Sequence, residues 1–264
     1  ITMKKIILRG RNSFIGKNCT RLLKNKYLIK NYSKNLKINK KTNTYFFHLS
    51  AITSVTESFK NPNLTITTNI KLLIESLEFC KKNKIKFIFF STAYQKDKAK
   101  FASPYALSKN ICEEICKIYS KEFNIDVFII RLTNIFGKYQ KKNLINDMIK
   151  KLKIKKKLEV INYDKSRDYL YIKDLISALK KILDKFPKKI NTYNISQNKN
   201  LKIVDAILIM KNLLNSKSII IKKKNISLQS KFDNIKINSY KFKNNFNWKP
   251  KFTFKEGIKD LILE

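Results

Sequence analysis

The chain has 264 residues, 43% of them hydrophobic, which is enough apolar material for one large core or two modest ones and excludes a disordered basic tail. Its 58 Lys+Arg against 19 Asp+Glu give a formal charge of +39, yet only Arg9, Arg11, Arg21, Arg131 and Arg167 are arginine. Nucleic-acid readers draw heavily on arginine's planar fork, whereas these lysines are spread along the whole chain among abundant Asn and Ile. The charge therefore reads as compositional drift toward solvated lysine, with no nucleic-acid partner expected.

In chain order, Lys4 to Arg9 reads as a short apolar strand, Phe14 to Leu23 as a helix and Tyr27 to Asn31 as a second strand. Thr44 to His48 follows as a strand, Asn63 to Cys80 as a long amphipathic helix and Ile85 to Ser91 as a strongly apolar strand. A helix opens at Tyr105, and Asp126 to Leu132 is another apolar strand. Strands separated by helices of this length predict β-α-β units and an α/β fold with a doubly wound parallel sheet. Beyond Lys138 the pattern is less regular. Helices at Asn143 to Leu152, Asp174 to Asp184 and Leu201 to Leu214 alternate with short strands near Leu158, Tyr169, Tyr193 and Ile219. This half predicts a smaller α/β domain covering the carboxyl ends of the sheet, with some segments returning to it.

With four glycines in the chain, their placement is informative. Gly10 and Gly16 bracket the first strand-to-helix turn, Gly10-Arg11-Asn12-Ser13-Phe14-Ile15-Gly16, where a dinucleotide fold needs a tight turn and backbone N–H groups at a helix start. An ordinary turn with a helix-packing glycine is the competing reading.

Tyr105-Ala106-Leu107-Ser108-Lys109 is the chemically most pointed segment. A phenol with a lysine one helical turn away suits proton exchange with an alcohol beside a hydride-carrying cofactor. A chain this rich in lysine also yields Tyr94/Lys98 and Tyr169/Lys173 at the same spacing. The first lies in a basic stretch that reads as loop, and the second in an alternating segment whose strand geometry separates the two side chains by about 13 Å. Only Tyr105/Lys109 has helix-start chemistry before it, with Ser103 as N-cap and Pro104 at the first position, and a buried stripe of Leu107, Ile111, Ile115 and Ile118 behind it.

Cys19, Cys80, Cys112 and Cys116 lack the density of a disulfide scaffold and read as packing residues. With His48 the single histidine, no metal site is expected. The longest apolar runs are strand-length, so no membrane insertion is expected. Ile1-Thr2-Met3-Lys4-Lys5 leads straight into a strand without signal-peptide character, which makes the cytoplasm the expected location.

These residues in this order resemble the extended short-chain dehydrogenase/reductase family, and within it the NAD-dependent epimerases, dehydratases and reductases of nucleotide sugars. The resemblance runs through the glycine turn, His48-Leu49-Ser50-Ala51, Ser91-Thr92-Ala93, Pro104 to Lys109, Arg131 to Gly137, Arg167 to Asp174, Tyr193-Asn194-Ile195-Ser196, Asn247-Trp248-Lys249-Pro250 and Glu256-Gly257. It implies a Rossmann-like dinucleotide-binding domain over residues 1–138 and a mainly substrate-binding domain over 139–264. It also implies Tyr105 as general acid/base, Lys109 holding the nicotinamide ribose and lowering the tyrosine pKa, and Thr92 bonding the reacting sugar oxygen. Gly10, Arg11, Ser13, Phe14, Ile15, Gly16, Asn31, Leu49, Ser50 and Ala51 would line the cofactor. Asn134 and Arg167 would meet the substrate, Arg167 at its diphosphate. Asn134 fits equally as a turn cap, and Arg167 with Asp168 as a structural ion pair. The family also implies a homodimer joined through the Asn63 and Tyr105 helices.

Three departures from the family pattern stand out. Ser13 replaces the middle glycine. Asn31, beside Lys30, replaces the acidic residue that binds the ribose 2′-hydroxyl in NAD-specific members; with Arg11 nearby, this tilts the choice between NAD and NADP toward NADP. Only about a dozen residues lead from the second strand to Thr44, so the usual extra strand and helix on the adenine side are missing.

Dehydratases of the family carry an acidic pair after the active-site threonine, where this chain has Ala93-Tyr94. The resemblance therefore favours a nucleotide-sugar epimerase or a 4-keto-sugar reductase serving surface-polysaccharide synthesis. A dinucleotide- or RNA-binding protein on the same fold without catalysis, or a polysaccharide-assembly scaffold, are the readings from other classes.

Overall fold

The computed structural model describes residues 3–38, 43–93, 103–141, 144–223 and 234–263. The chain divides into two compact units, Ile1–Leu132 with Ala178–Ile195, and Thr133–Ser177 with Ser196–Glu264.

The first unit is built on a six-stranded sheet. Its strands are β1 (Lys5–Arg9), β2 (Leu28–Asn31), β3 (Thr44–His48), β4 (Lys86–Thr92), β5 (Val127–Leu132) and β9 (Ile190–Ile195), in the order β2-β1-β3-β4-β5-β9. All five pairings are parallel, as the β-α-β rhythm requires. Because side chains alternate along a strand, Ile7, Phe46, Phe87, Phe89, Val127 and Ile129 share one face. There they pack with Leu73, Leu77 and Cys80 of α3 (Pro62–Asn83) and with Cys112 and Cys116 of α4 (Pro104–Phe123). The opposite parity, Ile6, Leu8, Phe47, Ile88, Phe90, Phe128 and Ile130, is equally buried. Sheets covered on both faces read as near-continuous apolar runs, which is why these strands stood out. At roughly 1.5–3 kcal/mol for each fully buried aliphatic or aromatic side chain, this double face is the main source of the unit's stability.

Several expected boundaries moved. The long helix begins at Pro62 rather than Asn63 and is preceded by a separate helix, α2 (Val55–Lys60), capped by the Ser54 hydroxyl accepting from Glu57 N at 3.2 Å. It ends at Asn83, where Lys84 adopts a left-handed φ of 52° and donates its N–H to the Cys80 and Lys81 carbonyls. Among the described residues β2 has β1 as its sheet neighbour and no strand outside it. Tyr32, Leu36 and Ile38, just past β2, instead pack against the core cluster. Residues 39–42 lie outside the described residues, as does Asn143, the expected start of the helix found as α5 (Leu144–Ile154).

The second unit contains a three-stranded sheet of β10 (Asn200–Lys202), β8 (Ser166–Tyr171) and β6 (Asn134–Phe136), and a parallel pair of β11 (Ile219–Lys223) with β7 (Lys157–Ile161). Helix α7 spans Ile203–Leu213, α8 Tyr240–Asn245 and α9 Phe254–Leu263. Its core is aromatic: Phe136 packs on Tyr171 and Phe254, and Phe252 stands edge-on to Tyr171. Gly257 lies so close to the Phe136 ring that a Cβ there would sit 2.7 Å from it. Helix α6 (Ile172–Asp184) starts in this unit and ends in the first. Strands β6 and β10, three residues each, and helices α8 and α9 had no counterpart in the sequence reading. Among the described residues no helix is long and apolar enough to cross a membrane.

Candidate active site

The first turn of the parallel sheet is shaped by its glycines. Gly10, at φ +99°, faces the Leu49–Ser50 backbone, and a Cβ on it would stand 3.0 Å from Leu49 C and Ser50 N. A Cβ on Gly16 would fall 2.2 Å from the Gly10 carbonyl oxygen, so the helix start can approach the turn only through a glycine. Ser13 takes an ordinary extended conformation and caps α1 (Phe14–Leu23), its hydroxyl accepting from Gly16 N at 3.1 Å. The serine in the middle-glycine position thus has a folding role of its own. Phe14 and Ile15 occupy the first helical positions, whose N–H groups find no acceptor within the helix itself. Leu49 N donates to Arg9 O at 2.8 Å, which keeps Leu49, Ser50 and Ala51 beside the Gly10 turn. Arg11 is exposed, and so is Asn31, the last residue of β2 and register partner of Leu8. Gly10 to Gly16, Asn31 and Leu49 to Ala51 therefore gather at the carboxyl edge of one parallel sheet, the place where open α/β sheets receive ligands.

Thr92 ends β4 at that same edge. Its hydroxyl and the Tyr105 phenol are hydrogen-bonded. Ser103 caps α4, accepting from Ala106 N at 3.1 Å, and Pro104 fills the first helical position, so Tyr105 leaves the first turn with its direction set. Lys109 follows one turn on, 4% exposed, its Nζ donating to Phe90 O at 2.8 Å and standing 4.7 Å from the centroid of the Phe89 ring. Burial acts on the two groups in opposite senses. It pushes the phenol up to about 12, against the smaller lowering by Thr92, and brings the ammonium down to about 8. The tyrosine is raised where its lysine was expected to lower it: desolvation of the phenolate dominates, and the contribution that opposes it comes from Thr92 rather than Lys109. At neutral pH the phenol is protonated and available as a donor.

The other two tyrosine–lysine spacings differ. Tyr94/Lys98 lies outside the described residues. Tyr169 is buried against Phe254, and Lys173, on the start of α6 rather than on a strand, pairs with Asp260 at 2.5 Å.

Behind this edge lies a polar layer that the sequence reading missed. Asn69 of α3 accepts from Ile52 N at 2.8 Å and donates to Ile52 O at 3.1 Å and to Ser108 Oγ at 2.9 Å. It thereby ties the chain that follows Leu49–Ala51 to the Tyr105 helix. His48 Nδ1 lies 2.9 Å from Ser76 Oγ, which donates to Leu72 O and accepts from Arg9. Arg9 also pairs with Glu75 at 2.5 Å. Burial, with Lys109 and Arg9 as nearby cations, holds the His48 pKa well below its usual range. The available signal was the pattern of α3, where Asn69 and Ser76 interrupt the otherwise apolar buried stripe of Leu73, Leu77 and Cys80.

In the second unit, Asn134 and Arg167 are half-buried. Asn134 Nδ2 donates to Asp168 O at 3.1 Å, and Arg167 pairs in register with Leu201 of β10. Asp168 is 3% exposed; its carboxylate accepts from Gln197 N (2.9 Å), Lys199 N (3.2 Å) and Thr133 Oγ1 (3.2 Å). Burial raises its pKa, and these donors oppose the rise. Among the described residues no group of three or more His, Cys, Asp or Glu is placed to hold a metal ion.

Residues 29–196 match the model of the NAD dependent epimerase/dehydratase family. The chain is similar to an uncharacterized UDP-glucose epimerase of Bacillus subtilis, with 27% identity over 65% of this chain and 59% of that protein. It is also similar to the dTDP-D-glucose 4,6-dehydratase of Dictyostelium discoideum, with 32% identity over 60% of this chain and 42% of that one. The chain thus spans about half the length of these relatives. The structure of RMD from Pseudomonas aeruginosa complexed with NADPH shares the fold, with a TM-score of 0.85 at 19% identity over 98% of both chains.

Proposed function

The chain belongs to the NAD dependent epimerase/dehydratase family, and we propose that it is a nucleotide-sugar epimerase or 4-keto-sugar reductase using a nicotinamide cofactor. The observation that carries this reading is the Tyr105 phenol hydrogen-bonded to Thr92 at the end of β4, with Lys109 one helical turn behind it. The tight turn at Gly10 and Gly16, where a Cβ at either position would run into neighbouring backbone, suits the close approach of a helix start to a dinucleotide pyrophosphate. Ser13, Phe14 and Ile15 would hold it at the helix start, with Leu49, Ser50 and Ala51 along the neighbouring strand end. Asn31 places no carboxylate against a 2′-phosphate, and exposed Arg11 adds a cation, which favours NADP.

The nicotinamide supplies or receives the hydride. The chain's own residues would move the proton and hold the partners. Tyr105 would give its phenolic proton to the developing alkoxide of a keto sugar, or take it back from the alcohol. Thr92 would hydrogen-bond the same oxygen, and Lys109 would bind the nicotinamide ribose and stabilise the phenolate as it forms. In the second unit Asn134 and Arg167 would receive the sugar and its diphosphate, a task suited to the guanidinium fork. Thr92 is followed by Ala93, a buried methyl where a dehydratase needs a carboxylate, so net water loss is not proposed. The remaining parts of the proposal, from family likeness, are a homodimer through α3 and α4, a cytoplasmic location and a place in surface-polysaccharide synthesis.

The test is Tyr105→Phe assayed on a panel of nucleotide sugars and their 4-keto derivatives with NADPH and NADH. Turnover should fall by roughly 10²–10⁴ while cofactor still binds. Unchanged turnover would remove Tyr105 from the mechanism.

A further inference from the structure

Asp168 is a buried carboxylate with no part in the proton chemistry above, yet it joins separate segments of the second unit. Its side chain collects the backbone N–H groups of Gln197 and Lys199 and the hydroxyl of Thr133. Its carbonyl oxygen accepts the Asn134 side chain. The same loop is fastened from another side, where Lys243 Nζ donates to Gln197 O at 3.2 Å. On β8, Asp168 pairs with Asn200 and the adjacent Arg167 with Leu201, so the loop bound by the carboxylate leads directly into the strand facing Arg167. A buried carboxylate is costly unless donors satisfy it, and here the donors come from segments far apart in sequence. A residue that only filled space would be better served by an apolar side chain.

We infer that Asp168 is a positioning residue, holding Asn134, Arg167 and the 197–199 loop in the arrangement that receives the diphosphate of the substrate. This rests on the nucleotide-sugar reading. Two segments, Thr133 next to Asn134 and the 197–199 loop, lose their common anchor to β8 if the carboxylate goes: an Asn in its place keeps one acceptor oxygen but turns an NH₂ donor toward a backbone N–H.

Calorimetric titration of the full chain with UDP, dTDP, CDP and GDP, and separately with NADPH, tests the inference in Asp168→Asn, Thr133→Val and Arg167→Ala. Asp168→Asn should weaken the nucleoside diphosphate that the unaltered chain binds by about tenfold or more. NADPH affinity should stay within about twofold, and Thr133→Val, which removes a single donor, should weaken the diphosphate by about threefold. An Asp168→Asn chain that binds the diphosphate normally overturns the inference, as does one that loses both ligands in step with its melting temperature. If Asp168→Asn does not fold, Thr133→Val decides, and unchanged diphosphate affinity there overturns it. The parent reading fails separately: it falls if the unaltered chain binds none of the four, or if Arg167→Ala binds as tightly as the original, and the inference then falls with it. Weak binding in Arg167→Ala with normal binding in Asp168→Asn and Thr133→Val removes the inference alone.

Discussion

Replacing Lys109 by methionine should make the protein more stable at neutral pH. Lys109 is 4% exposed, and burial brings its ammonium from 10.5 down to about 8, so the folded chain holds that proton less tightly than the unfolded chain. Between pH 8 and 10.5 the unfolded state binds more protons, and stability contributed by this group rises with pH through that window. Below pH 8 both states are protonated and the full burial penalty remains, on the order of 3 kcal/mol from the gap between the two values. Methionine fills a similar volume without charge. It forfeits the 2.8 Å hydrogen bond to Phe90 O, a loss of about 1 kcal/mol, which leaves a net gain of about 2 kcal/mol at pH 7. For a chain of this size that is a rise of roughly 4–8 °C in melting temperature. Thermal unfolding of both proteins at pH 7 and pH 9.5 provides the check, since titrations common to both cancel in the difference. The advantage of the variant should shrink at the higher pH. A variant less stable at pH 7, or an advantage independent of pH, would refute the desolvation argument. Gain of stability with loss of turnover is the signature of a residue kept for chemistry rather than folding.

Two further outcomes follow from the same unit. His48, whose folded pKa lies well below 6.5, contributes stability that is whole above pH 6.5 and declines as the pH falls below it, because the unfolded chain then takes up a proton that the buried ring does not. Denaturant unfolding at pH 7 and pH 5 should show that loss, and His48→Gln should reduce its size; equal losses in both proteins would count against it. Gly16→Ala should cost at least about 2 kcal/mol and abolish NADPH binding followed by fluorescence, since its Cβ would meet the Gly10 carbonyl at 2.2 Å. Normal NADPH affinity in that variant would show that the turn is not the cradle.

The alternation of apolar runs and amphipathic helices was enough to read the parallel sheet, because a sheet buried on both faces must be apolar throughout. Ser103-Pro104 ahead of Tyr105 was enough to place that tyrosine at a helix start, because capping is a local property of four residues. Short elements were a different matter. Asn134–Phe136 and Asn200–Lys202 are strands only because β8 lies between them, and three residues carry no period of their own.

The chain's order of residues determined by itself which strands could form, where the glycine turn and the Tyr105 helix begin, and that Tyr105 and Lys109 share a helical face, since all of these depend on neighbours within a few positions. Tertiary structure alone decided the proton affinities of that pair, raising the tyrosine and lowering the lysine, because desolvation depends on what packs around a group and not on what precedes it in sequence. It also decided the partners of Asn69, Ser108 and Asp168. Ile52 is 17 residues from Asn69, Ser108 is 39 away, and Thr133 is 35 from Asp168. Contacts at such separations exist only once the sheet has brought the segments together.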